Sequence, residues 1–162
     1  MQPLLILMLL ALLTLANGAP VIAKKMFGGT LSQPLDGGAR FIDGRPLFGA
    51  SKTIRGVLVS IAATAIGAPV IGLEASTGAI VGAMAMLGDL FSSFVKRRLN
   101  LSPGSRATGL DQIPESLFPL LACRISLGLS LVDIIIGVAA FFVGAVLLSR
   151  VLYRLGLRDL PY

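Results

Sequence analysis

The 162-residue sequence has no histidine, a single cysteine and few charged residues. Without histidine there is no imidazole for acid–base work, and Ser-His and Cys-His nucleophile pairs are excluded. The lone Cys123 rules out an intramolecular disulfide and offers no Cys-rich metal site. Charged residues make up 14% of the chain, where a soluble domain carries about a quarter, and 55% of the chain is hydrophobic. That balance points to an integral membrane protein. The sequence shows neither a soluble domain nor a long-period repeat, and its length suits a single domain over 1–162.

What is present is a series of apolar runs separated by two polar loops. The first run extends from Pro3 to about Met26, with Pro20 as a possible kink or break. Its Leu4 to Ala16 core followed by Asn17-Gly18-Ala19 looks like a signal peptide. However, no basic residue precedes it and Lys24-Lys25 follow it, so an uncleaved first helix is expected. A Gly-, Pro-, Asp- and Arg-rich loop runs from Phe27 to about Arg55, with turn pairs at Asp36-Gly37 and Asp43-Gly44. A loop of that length is usually functional or disordered. Further apolar spans are expected from Val57 to about Leu73, Gly78 to Val95, Ile113 to about Ser130, and Leu131 to Tyr153. The second polar loop covers Asn100 to Gln112, with a turn at Pro103-Gly104. Each run is close to the 17–25 residues that cross a bilayer, so the expected fold is an all-α bundle of about five transmembrane helices. Gly78-x3-Gly82 and Ala140-x3-Gly144 are expected helix-packing pairs.

Charge placement orients this bundle. Five crossings put both polar loops and the C-terminus on one side. That side then holds Lys24, Lys25, Arg40, Arg45, Lys52, Arg55, Lys96, Arg97, Arg98, Arg106, Arg150, Arg154 and Arg158. Arg124 falls within a span, as a group that snorkels or pairs with Asp133. The positive-inside rule places both loops in the cytoplasm and the N-terminus outside.

The third span carries the chemistry. Asp89 lies seven residues before Lys96, about 10 Å inside the basic edge, where a carboxylate costs up to about 2.5–3.5 kcal/mol. Asp89, Ser93, Lys96 and Arg97 follow the i, i+4, i+7, i+8 spacing of one helical face. Asp111 closes the next loop; if the third and fourth helices are antiparallel neighbours, it returns near Asp89. Its alternative role is an N-cap. Two carboxylates are too few for a calcium cage and suit Mg²⁺, which completes its shell with phosphate oxygens and water. The first loop adds Asp43-Gly44-Arg45 and the run Gly49 to Gly56, which contains Lys52 and Arg55. These are small and basic residues at a helix start, able to cradle phosphate or simply to be solvated, without Walker A spacing.

These residues also resemble a known family. Ser93-Phe94-Val95-Lys96-Arg97, preceded by Gly88-Asp89, is similar to the Ser-x-apolar-Lys-Arg core of the CDP-diglyceride synthetase (phosphatidate cytidylyltransferase) signature. Gly109-Leu110-Asp111 resembles its later Gly-rich, Asp-containing part, and Lys52-Thr53 an upstream Lys-Thr loop. Short length, five spans and the Asp43-to-Gly56 loop resemble most the archaeal, CDP-archaeol synthase branch. The chain departs where the bacterial signature has Lys-Asp and His-Gly-Gly; Ser102-Pro103 and Ala107-Thr108-Gly109 stand there instead. The following Asp-Arg-x-Asp becomes Asp111-Gln112-Ile113-Pro114, which keeps the first Asp and loses the second, with Glu115 adjacent.

The resemblance implies transfer of a cytidylyl group from CTP to an isoprenoid ether-lipid phosphate, specifically an unsaturated bis-geranylgeranyl glycerol phosphate, releasing pyrophosphate. It implies Asp89, Asp111 and Lys96 as catalytic residues, with Asp89 and Asp111 holding Mg²⁺. Lys52, Arg55, Ser93, Arg97 and Asp43 would bind substrate. Membrane lipid is an expected partner and nucleic acid is not. Two other functions compete. A small ion or substrate transporter would place polar residues across several spans. A non-catalytic membrane subunit that binds acidic partners would need no buried Asp.

Overall fold

The computed structural model describes residues 1–30, 32–102, 105 and 107–154, with side chains described up to Val151. Pro103-Gly104, Arg106 and Arg158 lie outside the described residues, as does the side chain of Arg154. Five helices follow in chain order: α1 (Pro3–Phe27), α2 (Ile54–Val70), α3 (Ala75–Arg98), α4 (Gln112–Ala122) and α5 (Leu131–Arg154). Among the described residues α1, α3 and α5 are long and apolar enough to cross a membrane. Large apolar side chains are exposed along their flanks, among them Leu7, Val21, Leu87, Ile135 and Leu147. Such a belt needs lipid rather than water around it. The protein is a multi-pass membrane-embedded helical bundle.

Helix α3 is the centre, packed against α1, α2 and α4, while α5 closes the bundle against α1 and α4. The core is apolar where these meet: Leu9, Leu12, Leu13 and Ala16 of α1 pack with Val81, Ala85, Leu120 and Phe141. Helix α1 runs unbroken through Pro20. A Cβ on Gly78 or Gly82 would collide with Thr64 of α2, so this pair does bring α2 and α3 together. The second expected pair does not act this way. Gly144 faces open space, and it is Gly137 that approaches α4, at Leu120.

The fourth element differs from the expected span. Helix α4 has 11 residues, about 16 Å, and stops at Ala122, three residues after Pro119. A turn through Gly128 (φ +63°) follows, and Ser130 and Asp133 form a reciprocal cap that starts α5. The Gln2 amide donates to Asp133 and its side chain to Gly128 O, tying this turn to the start of α1. A short α4 reaches that end because it begins well inside the bundle, beside the middle of α3. Arg124 lies exposed in this turn and not in a span, and Asp133 is engaged by Gln2 and Ser130 instead.

The first polar loop is folded. Asp36 accepts hydrogen bonds from the amides of Gly38, Phe48 and Gly49, pinning its two halves together. Partial burial pushes the Asp36 carboxyl up, but those N–H donors outweigh it and hold it below the usual carboxylate range. Short antiparallel bridges at Pro34–Thr53 and Arg40–Pro46 complete the loop, and Thr53 caps α2 by accepting from Gly56 N.

Candidate active site

The α3 stripe faces inward as its spacing requires: Ser93, Lys96 and Arg97 are buried and Asp89 is half-buried. Two lysines meet two carboxylates there. Lys52, carried in by the folded loop, donates to both oxygens of Asp89 at 2.6 Å. Lys96 Nζ lies 2.7 Å from Asp111 Oδ1 and donates to Ser105 O at 2.9 Å. These partners come from the first loop, α3 and the second loop, so the site exists only in the folded bundle.

The start of α4 is pressed onto α3 at this level. A Cβ on Gly88 would run into the backbone of Pro114 and Glu115. The Ser92 hydroxyl lies 2.9 Å from Gly88 O and 2.6 Å from Leu110 O, fixing the second loop to α3. Glu115 is thereby brought close to Asp89 and within electrostatic range of Lys52 and Asp111. Asp89 and Asp111 therefore do not face each other alone, because Glu115 stands with both. In the sequence Glu115 shows only as the acid adjacent to the missing second Asp, at a position that also reads as an ordinary helix first turn. Asp111 makes no side-chain cap; its Oδ2 accepts from Ala107 N and closes the turn that presents Oδ1 to Lys96.

Two residues expected to bind substrate are engaged by other parts of the protein in this arrangement. Arg55 donates to Gly28 O and Thr30 O, away from the carboxylates, fastening the end of α1 to the start of α2. Asp43 pairs with Arg98 at 3.1 Å and accepts from Arg45 N. Arg98 also donates to Pro46 O and lies over the rings of Phe41 and Phe94, 4.8 and 4.9 Å from their centroids. Arg45 reciprocates by donating to Arg98 O. This latch holds the Lys52 loop on the end of α3; in the sequence Arg98 shows only as one of the basic residues at the loop side, and Phe41 not at all. Arg97 is 4% exposed and donates to Ser102 O, while its Nε and Nη1 have no hydrogen-bond partner among the described residues.

Among the described residues no three or more potential ligands form a ready metal cage. The donor set nevertheless suits a hard cation. Two carboxyl groups in contact are reconciled by a shared proton or by a cation, and Mg²⁺ needs only one or two carboxylates beside phosphate. Inward-facing lysines and Arg97 supply positive charge for the rest of a polyanion.

Known proteins are similar to this one over nearly the whole chain. The family model for CarS-like CDP-archaeol synthase matches residues 3–162. A CDP-archaeol synthase from Sulfurisphaera tokodaii is 37% identical over 153 residues, covering 91% of this chain and 89% of that protein. The one from Pyrobaculum islandicum is 32% identical, covering 86% and 82% respectively. A solved structure described as an intramembrane enzyme for archaeal membrane lipids biosynthesis superposes with a TM-score of 0.71. It is 32% identical, and the match covers 84% of this chain and 87% of that one. The chain belongs to the CDP-archaeol synthase family of CTP-dependent lipid-phosphate cytidylyltransferases.

Proposed function

We propose that the protein transfers CMP from CTP to an unsaturated isoprenoid diether glycerol phosphate, 2,3-bis-O-geranylgeranyl-glycerol 1-phosphate, giving the CDP-activated lipid and pyrophosphate. The observation that carries this reading is the double pairing Lys52–Asp89 and Lys96–Asp111, with Glu115 against Asp89, at the inner level of α3. A charged cluster of this kind inside a membrane bundle is costly and points to a polyanionic substrate with a cation.

The chemistry asks little of side chains. A lipid-phosphate oxygen attacks the α-phosphorus of CTP, the bond from that phosphorus to the bridging oxygen breaks, and pyrophosphate carries away the charge. The substrate is its own nucleophile, so the lack of histidine is no obstacle. Positioning and charge neutralisation do the catalysis. Asp89 and Asp111, joined by Glu115, would hold Mg²⁺, which supplies Lewis-acid neutralisation of the triphosphate. Lys52 and Lys96, released from their carboxylates as substrate enters, would bind phosphate oxygens. Buried Arg97 would add a fixed positive charge, and Ser93, one turn beyond Asp89, a positioning hydroxyl. We place these loops on the cytoplasmic side and the N-terminus outside. With Arg124 moved to the other end of the bundle, the excess of basic residues at the loop end still strongly favours this orientation.

The test is purified protein with CTP, Mg²⁺ and the diether glycerol phosphate. Pyrophosphate release that requires the lipid phosphate is expected. No release with any lipid phosphate would refute the assignment.

A further inference from the structure

An apolar groove of about 510 Å³ opens between α4 and α5. Its walls include Ile113 and Leu117 of α4 and Ile134, Val138 and Phe142 of α5. The α5 residues are spaced i, i+4, i+8, so they form one face, and the groove runs for about 12 Å along it. At its polar end the lining includes Gly109, two residues before Asp111. The groove therefore begins at the turn that presents Asp111 to Lys96.

Its polar end, which opens on the turn holding Asp111, separates this groove from an ordinary lipid-facing crevice. Contact between Ser92 and Leu110 sets that turn level with Ser92, six residues or about 9 Å inside the end of α3 at Arg98. A lipid whose phosphate is drawn in to the lysine–carboxylate cluster has a chain at the mouth of the groove. At the volume of a site for one small-molecule-sized group, the groove takes one chain and not two.

Resting on the lipid-phosphate reading above, we propose that the α4–α5 groove seats one isoprenoid chain of the lipid phosphate and so sets its phosphate at the Asp111 turn. Ala139, which also lines the groove, keeps it open. The test uses the full chain in lipid nanodiscs and a diether glycerol phosphate with a diazirine in mid-chain. Cross-links are expected within residues 113–117 and 134–143. Excess unlabelled lipid phosphate should suppress them at least tenfold, and an uncharged diether with the same chains should not. Labelling elsewhere, or labelling that both lipids suppress equally, overturns the proposal. As a second readout, Ala139→Phe should raise KM for the lipid phosphate at least tenfold and leave KM for CTP unchanged. A KM for lipid equal to wild type overturns the proposal. Selectively suppressed labelling in a preparation that releases no pyrophosphate would refute cytidylyl transfer and keep the groove. Non-selective labelling in an active preparation would do the opposite.

Discussion

Asp89 is held by two neighbours of opposite sign: Lys52 neutralises it, while Glu115 adds a second acid against it. The first contact stabilises a carboxylate at depth; the second is unfavourable unless a proton or cation joins the pair. Replacing Glu115 by Gln should therefore weaken the cation and not the lipid. We expect the Mg²⁺ concentration for half-maximal activity to rise at least tenfold, with KM for the lipid phosphate unchanged. A shift below twofold in a magnesium titration would remove Glu115 from the site. Lys52→Met should lower kcat/KM at least a hundredfold, about 2.7 kcal/mol of transition-state stabilisation, because it removes both the partner of Asp89 and a phosphate-binding charge. A steady-state assay on protein of unchanged thermal stability checks it. The sequence exposed Asp89, Lys96 and Lys52, since charge at the depth of an apolar run, or beside it, is conspicuous. Arg55 and Asp43 are expected at substrate from their place in the basic loop, while the partners they have in the fold, the Gly28 and Thr30 carbonyls for Arg55 and Arg98 for Asp43, leave no mark in the sequence.

At the scale of elements, the first loop and the short fourth helix set the site. The loop reaches α3 through Arg98, which combines an ion pair, carbonyl contacts and two aromatic faces; exposed cation–π contacts add about 0.5–1 kcal/mol each. Arg98→Ala should release the loop, lowering kcat/KM about tenfold or more and speeding amide exchange from Phe41 to Lys52. Arg98→Lys should restore little, because a lysine lacks the planar fork and stacks poorly. Exchange unchanged in Arg98→Ala would contradict the latch. Asp36 makes the same loop pH-sensitive. Its folded value is depressed, so its contribution is fully present above the unfolded value of about 3.9 and is lost as pH falls through the folded one. Exchange protection at Phe48 and Gly49 should thus hold from neutral pH to about 4 and decline below it. Helix boundaries were legible wherever an apolar run ended in charge or glycine. The end of α4 was not, since Leu120 to Leu129 stays largely apolar through the turn at Gly128. Gly88 shows in the sequence as part of the Gly88-Asp89 motif but not as a packing contact, and Gly88→Val should drive α4 off α3. We expect a loss of roughly 1–3 kcal/mol in a thermal or denaturant melt, accompanied by loss of activity.

For the whole molecule, five helices bring the first loop, the end of α3 and the second loop to one end, and the α4–α5 turn and the start of α1 to the other. That arrangement was readable from the spacing of apolar runs and the asymmetric placement of lysine and arginine, which record how a chain sits in a bilayer more faithfully than any single motif. It predicts opposite accessibility for two exposed serines. In sealed cells a membrane-impermeant thiol reagent should label Ser126→Cys but reach Ser51→Cys only after lysis; the native Cys123 is buried and should stay silent. The reverse pattern would invert the proposed orientation. The central claim, that the lysine–carboxylate cluster is where CTP and lipid phosphate react, is tested most directly by pyrophosphate release from Asp89→Asn. Asparagine keeps the shape of the side chain and removes only its charge. With CTP, Mg²⁺ and diether glycerol phosphate at saturation, the rate should fall at least a thousandfold, about 4 kcal/mol. A rate within tenfold of wild type would contradict the account.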